Sequence, residues 1–387
     1  MTAASPSLNA RRAGLGPLHS FKRSLSPQNW RAPVVHSEYS LHQLSPYIGK
    51  LKSSIAGDLV QALSRPGELV VDPFSGAGTI AFEASLAGRR VFASELSPYA
   101  YALTHAKLNA PHTLDAAVHQ IETLLEESAA SATPDLRAVP RWVRAYFNPR
   151  TLKEAISFSN VCQDRQHTLG LSCLLGILHH QRPGFLSYPS SHLVPYLRGK
   201  NFPAEDFPAL YEYRALRPRI LSKVVRAYKR VDDGPRLAST VVQSSIEDVI
   251  LPARVDAVIT SPPYMNALDY GRDNRLRLWF MSPTAAAAID NSTPSTILEF
   301  ARIMSVLAIK VSSCLKVGGY CVLVIGEAVS RGTLGHTAST AVEVFTSGSY
   351  PFQLVQTVSD LIPDVRRARR DCRGVKVENV IVLRRVK

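Results

Sequence analysis

The sequence predicts an α/β fold with a doubly wound, mostly parallel sheet of seven strands. Apolar runs rich in Val, Ile and Ala, such as 255–259, are typical of parallel strands that are buried on both faces. Segments with helical spacing separate the first strand candidates, as in doubly wound proteins. The last two strand candidates, 352–358 and 377–383, follow each other and predict a hairpin that forms an antiparallel edge.

The first half of the sheet is predicted within residues 36–110. Apolar residues recur at helical spacing between positions 51 and 63, ahead of a strand at 68–72. A helix at 80–87 and a strand at 90–94 come next. Ser97-Pro98 then supplies an N-cap and a first-turn proline for a helix that runs to residue 109.

The second half is predicted within residues 237–387. A strand at 240–248 precedes the buried strand at 255–259. An amphipathic helix at 297–315 is followed by Gly318-Gly319, which is typical of a helix end, and then by a buried strand at 320–326. With the terminal hairpin, the count is seven strands.

A glycine-containing turn follows the first strand. Its sequence is Asp72-Pro73-Phe74-Ser75-Gly76-Ala77-Gly78-Thr79. Glycines allow positive φ and close backbone approach, and the next helix offers unpaired amides to a polar ligand. The second strand ends at Glu95, where an acidic side chain suits the two hydroxyls of a ribose. Gly-Ala-Gly alone is weak evidence, because any tight strand-to-helix turn needs glycine.

A second turn, Ser261-Pro262-Pro263-Tyr264, closes the buried strand at 255–259. Two prolines forbid a continuing ladder and an immediate helix, so the chain turns at the carboxyl edge of the sheet, where α/β folds bind ligands. A hydroxyl and free carbonyls accept hydrogen bonds from an amine, and an aromatic ring can stack on a base. This turn therefore suits an amino group on a nucleobase that has left its stack.

The two motifs together resemble the S-adenosylmethionine-dependent amino-methyltransferases of DNA. The Ser-Pro-Pro-Tyr form is most typical of the N4-cytosine enzymes, whereas N6-adenine enzymes usually have Asp or Asn at the first position. The resemblance covers roughly residues 36–110 and 237–387. It implies a Rossmann-like methyltransferase with S-adenosylmethionine as cofactor and double-stranded DNA, with one base flipped, as partner. A cognate restriction nuclease is a further candidate partner.

The resemblance also implies the cofactor site. Segment 44–51 is similar to the part of these enzymes that closes over the methionine end of the cofactor. At the end of the third strand the family usually has an Asp near the adenine, and this chain instead has Ser245, with Asp248 three residues later. The predicted cofactor-binding residues are Tyr47, Lys50, Asp72, Pro73, Phe74, Ser75, Gly76, Gly78, Thr79, Glu95 and Ser245.

The implied reaction is direct transfer of the sulfonium methyl group to an exocyclic amine. Such an amine is a poor nucleophile because its lone pair conjugates with the ring, and hydrogen-bond acceptors that favour a tetrahedral nitrogen restore that lone pair. Ser261 and the carbonyl of Pro262 are the predicted acceptors, Pro263 stiffens the turn, and Tyr264 is the predicted stacking ring. The reaction needs neither a nucleophilic cysteine nor a metal.

Residues 111–236 break the strand–helix alternation and predict a mainly helical insertion with a basic end. Its position between the two halves resembles that of a target-recognition domain, although a helical cap with a solvated charged face fits the same pattern. Residues 1–35 read as a flexible basic arm. The predicted DNA-binding residues are Arg226, Lys229, Arg230 and Arg272.

Composition agrees with a nucleic-acid partner. Lys and Arg outnumber Asp and Glu 45 to 31, which favours phosphate contacts through counterion release. Five cysteines without Cys-x-x-Cys spacing favour neither a disulfide framework nor a zinc site and fit a reducing cytoplasm. We find no apolar run of membrane-spanning length and no signal-peptide core.

Three alternatives stay open from the sequence. N6-adenine methylation of DNA is compatible with the same mechanism. RNA methyltransferases that modify the guanine amino group also combine a glycine loop with a Pro-Pro-aromatic turn, but they usually have Asp or Asn where this chain has Ser261. A non-catalytic binding module is the third alternative, and the two intact motifs argue against it.

Overall fold

A computed structural model of the chain describes residues 25–30, 38–180, 184–188, 202–231, 234, 236–265, 270–282, 293–330, 333–334, 336–362 and 375–387. One sheet organises these residues. Its strands are β1 (Leu69–Asp72), β2 (Arg90–Glu95), β3 (Ser239–Gln243), β4 (Val255–Thr260), β5 (Leu315–Ser330), the two-residue β6 (Thr333–Leu334), β7 (Phe352–Leu361) and β8 (Val375–Arg385).

The strand order is β3-β2-β1-β4-β5-β8-β7, and β6 pairs with β5 beside this path. Strands β1 to β5 pair in parallel, whereas β8 is antiparallel to both β5 and β7. The prediction of a seven-stranded, mostly parallel sheet with an antiparallel edge is confirmed. Because β1 to β4 are parallel, Asp72, Glu95, Gln243 and Thr260 all end strands at one edge.

Helices cover both faces of the sheet. In chain order they are α1 (Ser53–Leu63), α2 (Thr79–Leu86), α3 (Pro98–Leu108), α4 (Leu114–Ala130), α5 (Arg141–Arg144), α6 (Pro149–Asp164), α7 (Thr168–Leu175), α8 (Leu216–Ala227), α9 (Tyr270–Asp273), α10 (Arg275–Met281), α11 (Ile297–Cys314) and α12 (Thr337–Thr346). Because successive side chains of a strand point to opposite faces of the sheet, the hydrophobic core has two parts, one on each face. Val70 and Ile259 belong to a cluster with α1, α2 and α3, whereas Val71 and Val258 pack with α11 and α12.

The insertion packs directly on the first half of the sheet domain. Its helices α4, α6, α7 and α8 contribute to the same hydrophobic cluster as α1 to α3. Ser172 of α7 donates a hydrogen bond to the carbonyl of Ala102, and Thr168 lies 2.9 Å from the His105 ring nitrogen. As far as its described residues go, the insertion therefore extends the core of the sheet domain and forms no separate core.

Several boundaries differ from the sequence prediction. Within the mainly helical insertion, the basic end consists of a 3₁₀ turn, Pro208–Tyr211, and then α8. Strand β3 ends at Gln243, and β5 begins at Leu315, directly after α11. The predicted helix end, Gly318-Gly319, therefore lies within β5, in the register shift between Leu315 and Tyr320, where Gly318 has φ 82°.

Part of the predicted N-terminal arm is ordered. Leu25 and Trp30 are buried, and the Trp30 indole donates to the Asp58 carboxylate of α1 over 2.9 Å. For residues 25–30 the expectation of a flexible arm is wrong, because these side chains complete the core beside α1. The rest of the arm, residues 1–24 and 31–35, lies outside the described residues.

Candidate functional site

A cavity of about 420 Å³ opens at the carboxyl edge of β1 to β4. Both motifs contribute to its wall, as the position of the edge predicted. The predicted residues that line it are Tyr47, Lys50, Asp72, Pro73, Phe74, Ser75, Gly76, Thr79, Glu95, Ser245, Ser261 and Pro263. Of the predicted cofactor-binding and catalytic residues, Gly78, Pro262 and Tyr264 do not line it. Pro262 is buried, and the positions of Gly78 and Tyr264 are described below.

The two glycines of the loop have different roles. Both have positive φ, 50° at Gly76 and 71° at Gly78. A Cβ at Gly78 would lie 2.6 Å from the Thr104 hydroxyl and 2.9 Å from the Thr104 Cα, so Gly78 permits close packing of the loop on α3. A Cβ at Gly76 would meet only the Tyr47 ring, at 3.7 Å. Gly76 therefore faces the cavity, and Gly78 supports the loop from behind.

Glu95 anchors the loop and still offers acceptors to a ligand. The Gly76 amide donates to Glu95 Oε2 over 2.7 Å, and the Ser97 amide donates to Oε1 over 2.9 Å. Burial raises the pKa of the Glu95 carboxyl, although these amides oppose the shift. A third amide, that of Leu96, also bonds this carboxylate, and with about four acceptor sites in all the carboxylate keeps capacity for a ribose hydroxyl.

Asp72 supplies the test of whether the cavity fits a cationic cofactor. The Thr260 hydroxyl donates to Asp72 Oδ1 over 2.7 Å. Asp72 Oδ2 is buried, and no hydrogen-bond donor reaches it among the described residues. Burial raises the pKa of Asp72 to about 7. A buried acceptor of this kind is costly unless a ligand pairs with it, and the ammonium of S-adenosylmethionine is a fitting partner.

The segment before α1 closes one side of the cavity. The Tyr47 ring stacks at 6.3 Å on Tyr270 and lies 5.9 Å from Tyr99. Lys50 donates to the carbonyl of His42 over 2.9 Å and lies 3.7 Å from the Glu38 carboxylate. These contacts hold the segment in place, and Tyr47 and Lys50 both reach the cavity as predicted.

The adenine end of the site departs from the family pattern, as the sequence indicated. Ser245 donates to the Asp248 carboxylate over 2.7 Å and accepts from the Asp248 amide over 3.1 Å. Its hydroxyl therefore stabilises the turn after β3. Ile246 and Ile303 are buried and line the same cavity, so they offer apolar surface to a flat ring.

In the turn at residues 261–264, which we call the catalytic turn, the Ser261 hydroxyl is positioned to accept a hydrogen bond. It lies 3.1 Å from the carbonyl of Val324 and 3.2 Å from the Tyr264 hydroxyl. The serine hydroxyl has one proton to donate, and either the Val324 carbonyl or the Tyr264 hydroxyl can accept the hydrogen bond. The lone pairs of Ser261 then remain for an amine in the cavity.

Tyr264 does not present its ring to the cavity in this structure. The side chain is 4% exposed, and its hydroxyl donates to Glu378 of β8 over 3.3 Å. Burial and the Glu378 charge raise the pKa of this phenol. Tyr270, from α9, lines the cavity instead. A base could stack on Tyr264 only after this buried ring moved, whereas Tyr270 already lines the cavity.

The predicted DNA-binding residues divide into two groups. Arg226, Lys229 and Arg272 are exposed. Arg230 instead donates from its guanidinium to the carbonyl of Glu38 and from its amide to the Ser40 hydroxyl. Arg230 is half-buried, and these bonds connect the chain before α1 to the end of the insertion, so its role as a phosphate contact stays a prediction.

Sequence reasoning missed three residues of the site. Thr260 links the two motifs, Glu378 holds Tyr264, and Tyr270 lines the cavity. Of the three, only Tyr270 could have been suspected from the sequence, because it is an aromatic residue within ten positions of Ser261. Glu378 lies more than a hundred residues away in sequence, so no local pattern points to it.

Comparison with known proteins agrees with this geometry. Residues 44–138, well under half of the chain, match the family described as RMKL-like, methyltransferase domain. This segment includes the glycine loop and Glu95. Fold, cavity and match together identify a methyltransferase that uses S-adenosylmethionine as its cofactor. No curated protein matches the chain.

Solved structures show likeness of fold only. A protein of Clostridium thermocellum, provisionally described as an rRNA methylase, is 12% identical with a TM-score of 0.36 and covers 87% of this chain and 100% of its own. An rRNA methylase of Streptococcus thermophilus is 10% identical with a TM-score of 0.33, over 87% and 98%. A TehB-like S-adenosylmethionine-dependent methyltransferase of Corynebacterium glutamicum is 10% identical with a TM-score of 0.32, over 87% and 89%. Likenesses this weak do not bear on the substrate.

Among the described helices, none is long and apolar enough to cross a membrane.

Proposed function

We propose that this methyltransferase acts on DNA and methylates the N4 amine of a cytosine flipped out of the duplex. One observation supports this most: the Ser261 hydroxyl lines the same cavity as Asp72 and Glu95. The proposed amine acceptor and the proposed cofactor contacts thus share one cavity. The Ser-Pro-Pro-Tyr form of the turn favours cytosine over adenine.

The chain's own residues would perform the reaction by binding and orientation. S-adenosylmethionine supplies an electrophilic methyl group on its sulfonium. Glu95 holds the ribose, Asp72 holds the ammonium, and Ser261 accepts a hydrogen bond from the target amine, which favours a tetrahedral nitrogen. Because serine is a weak base, Ser261 orients the amine, and the proton leaves after methyl transfer. All cysteines with described side chains are buried, at positions 162, 173, 314 and 321, and none belongs to the catalytic turn.

The exposed cations near the end of the insertion are proposed phosphate contacts. Arg226 and Lys229 lie at and just beyond the last turn of α8. Each phosphate contact contributes about one unit to the slope of log affinity against log salt. The doubly substituted chain, Arg226→Ala with Lys229→Ala, should therefore bind DNA more weakly and with a shallower slope. An unaltered slope would place these side chains away from the DNA.

The product of the reaction tests the proposed function. The protein is incubated with S-adenosylmethionine and either unmethylated DNA or RNA, and the digested nucleosides are analysed by mass spectrometry. We expect N4-methylcytosine in the DNA and no C5-methylcytosine. N6-methyladenine would retain the mechanism and overturn the choice of base. Methylated guanine in RNA with no methylated base in DNA would overturn the proposal.

A further inference from the structure

Thr260 belongs to β4, the strand that leads into the catalytic turn at Ser261. Among the described contacts, its hydroxyl is the one from this strand that bonds the cofactor loop, residues 72–79. It ends β4, is fully buried, and immediately precedes Ser261. Its hydroxyl donates to Asp72 Oδ1 over 2.7 Å and accepts from the Phe74 amide over 3.1 Å. A single side chain therefore uses both its donor and its acceptor capacity on the loop.

This arrangement connects two parts of the chain that are 188 positions apart in sequence. Strands β1 and β4 pair directly, with Val71 opposite Val258, so their ends are adjacent. Backbone pairing stops before the loop and the turn begin. Beyond that point the Thr260 hydroxyl continues the connection, and Ser261 is held on its other side by Val324.

We propose that Thr260 is a positioning residue that orients the Asp72 carboxylate toward the methionine end of the cofactor and fixes the catalytic turn against the cofactor loop. The proposal rests on the proposed use of this cavity for methyl transfer. It assigns to Thr260 no contact with the cofactor or with the base. Its effect passes through Asp72 on one side and through Ser261 on the other.

Electrostatics support this role. Burial, the largest influence, and the Glu95 carboxylate raise the pKa of Asp72, while hydrogen bonds from the Thr260 hydroxyl and the Phe74 amide lower it, with the result at about 7. The other titratable or charged groups that line the cavity are Tyr47, Lys50, Glu247, Tyr270, Glu299 and Arg302. Without the Thr260 hydroxyl, the pKa of Asp72 should rise further, and the carboxyl should be largely protonated at pH 7.

The pH dependence of cofactor binding provides a readout that a purely structural role would not change. Affinity should rise with pH as Asp72 ionises and fall again as the cofactor's α-amino group loses its proton, near a pH of about 8. The rise on the acid side of the profile, the acid limb, reflects ionisation of Asp72. The fall on the alkaline side, the alkaline limb, reflects deprotonation of the cofactor. Removal of the Thr260 hydroxyl should move the acid limb to higher pH and leave the alkaline limb in place.

The test compares Thr260→Val, which has nearly the same shape, with Thr260→Ser, which keeps the hydroxyl. S-adenosylmethionine is titrated calorimetrically into each full-length chain between pH 5.5 and 9, with fold checked by thermal unfolding. At pH 7 the valine variant should bind about 10-fold or more weakly, because it loses a hydrogen bond to a charged group. The serine variant should stay within about 3-fold, since its hydroxyl can make the same bond.

A matched control is Thr104→Val. Thr104 is buried beside the same loop and donates to the carbonyl of Gly76 over 2.9 Å, but it makes no hydrogen bond to Asp72. Removal of the Thr104 hydroxyl should therefore leave the acid limb of the affinity profile at the same pH as in the unchanged protein. An unshifted acid limb in Thr260→Val, or equal shifts in both valine variants, would overturn the inference alone. Absence of cofactor binding by the unchanged protein would overturn the proposed function and the inference with it.

Discussion

Ser261→Ala is expected to lower kcat for DNA methylation by about 100- to 1,000-fold, the range for loss of one preorganised transition-state hydrogen bond. The Ser261 hydroxyl is held by the Val324 carbonyl and the Tyr264 hydroxyl. It is therefore already oriented when the amine arrives. Its acceptance matters most as the nitrogen becomes tetrahedral, so the loss should fall on kcat and not on the Michaelis constants.

Single-turnover kinetics with preformed complexes measure this effect. The control is Ser244→Ala, because Ser244 lines the same cavity but its hydroxyl bonds the carbonyl of Ser245. That variant should keep kcat within about 3-fold, as expected for a hydroxyl outside the reaction. Equal kcat values for the Ser261 variant and the unchanged protein would remove Ser261 from the mechanism.

Glu95→Ala is expected to weaken S-adenosylmethionine binding by about 10- to 150-fold, which corresponds to about 1.5–3 kcal/mol for hydrogen bonds to a charged group. Two losses combine in this variant. The ribose loses its carboxylate acceptors, and the Gly76 and Ser97 amides lose the partner that fixes the loop. The half-buried position strengthens both effects, since water replaces the carboxylate only in part.

Calorimetric titration of the cofactor in the absence of DNA checks this expectation. Glu127→Ala is the control, because Glu127 forms a surface ion pair with Arg165 at 3.0 Å and lies outside the cavity lining. Surface pairs contribute little, so the control should bind normally. Normal binding by the Glu95 variant as well would show that the cofactor's ribose is held elsewhere.

The sequence predicted the sheet and the cavity because their signals are local. A buried parallel strand is a short apolar run, and its carboxyl end is the next few residues. Asp72, Glu95 and Ser261 could therefore be placed at one edge from strand pattern and order alone. The structure brings all three to one cavity.

The remaining features depend on contacts between distant segments. The position of the Tyr264 ring is set by Glu378, and the fixed position of Arg230 is set by Glu38 and Ser40. No pattern around Tyr264 or Arg230 indicates these partners. An aromatic ring after two prolines predicts a stacking surface, but a hydroxyl bond to a distant strand can override that expectation.

The same reasoning explains why Thr260 was not found from the sequence. In the sequence it stands between the apolar strand predicted at 255–259 and the turn at Ser261, where threonine is favoured for its branched side chain alone. Only the pairing of β1 with β4 places its hydroxyl beside Asp72. Order along the chain predicted the residues of each motif, but not the contact that connects the motifs.

An isotope-trapping measurement tests the central claim, direct transfer of a methyl group from this cavity to a nucleobase amine. The protein is loaded with methyl-labelled S-adenosylmethionine and mixed with unmethylated DNA and a large excess of unlabelled cofactor, and the reaction is quenched within the first turnover. We predict that the label is recovered on an exocyclic amine of the DNA before the chase dilutes it. Label that is covalently attached to the protein, or that remains entirely in the cofactor, would contradict direct transfer.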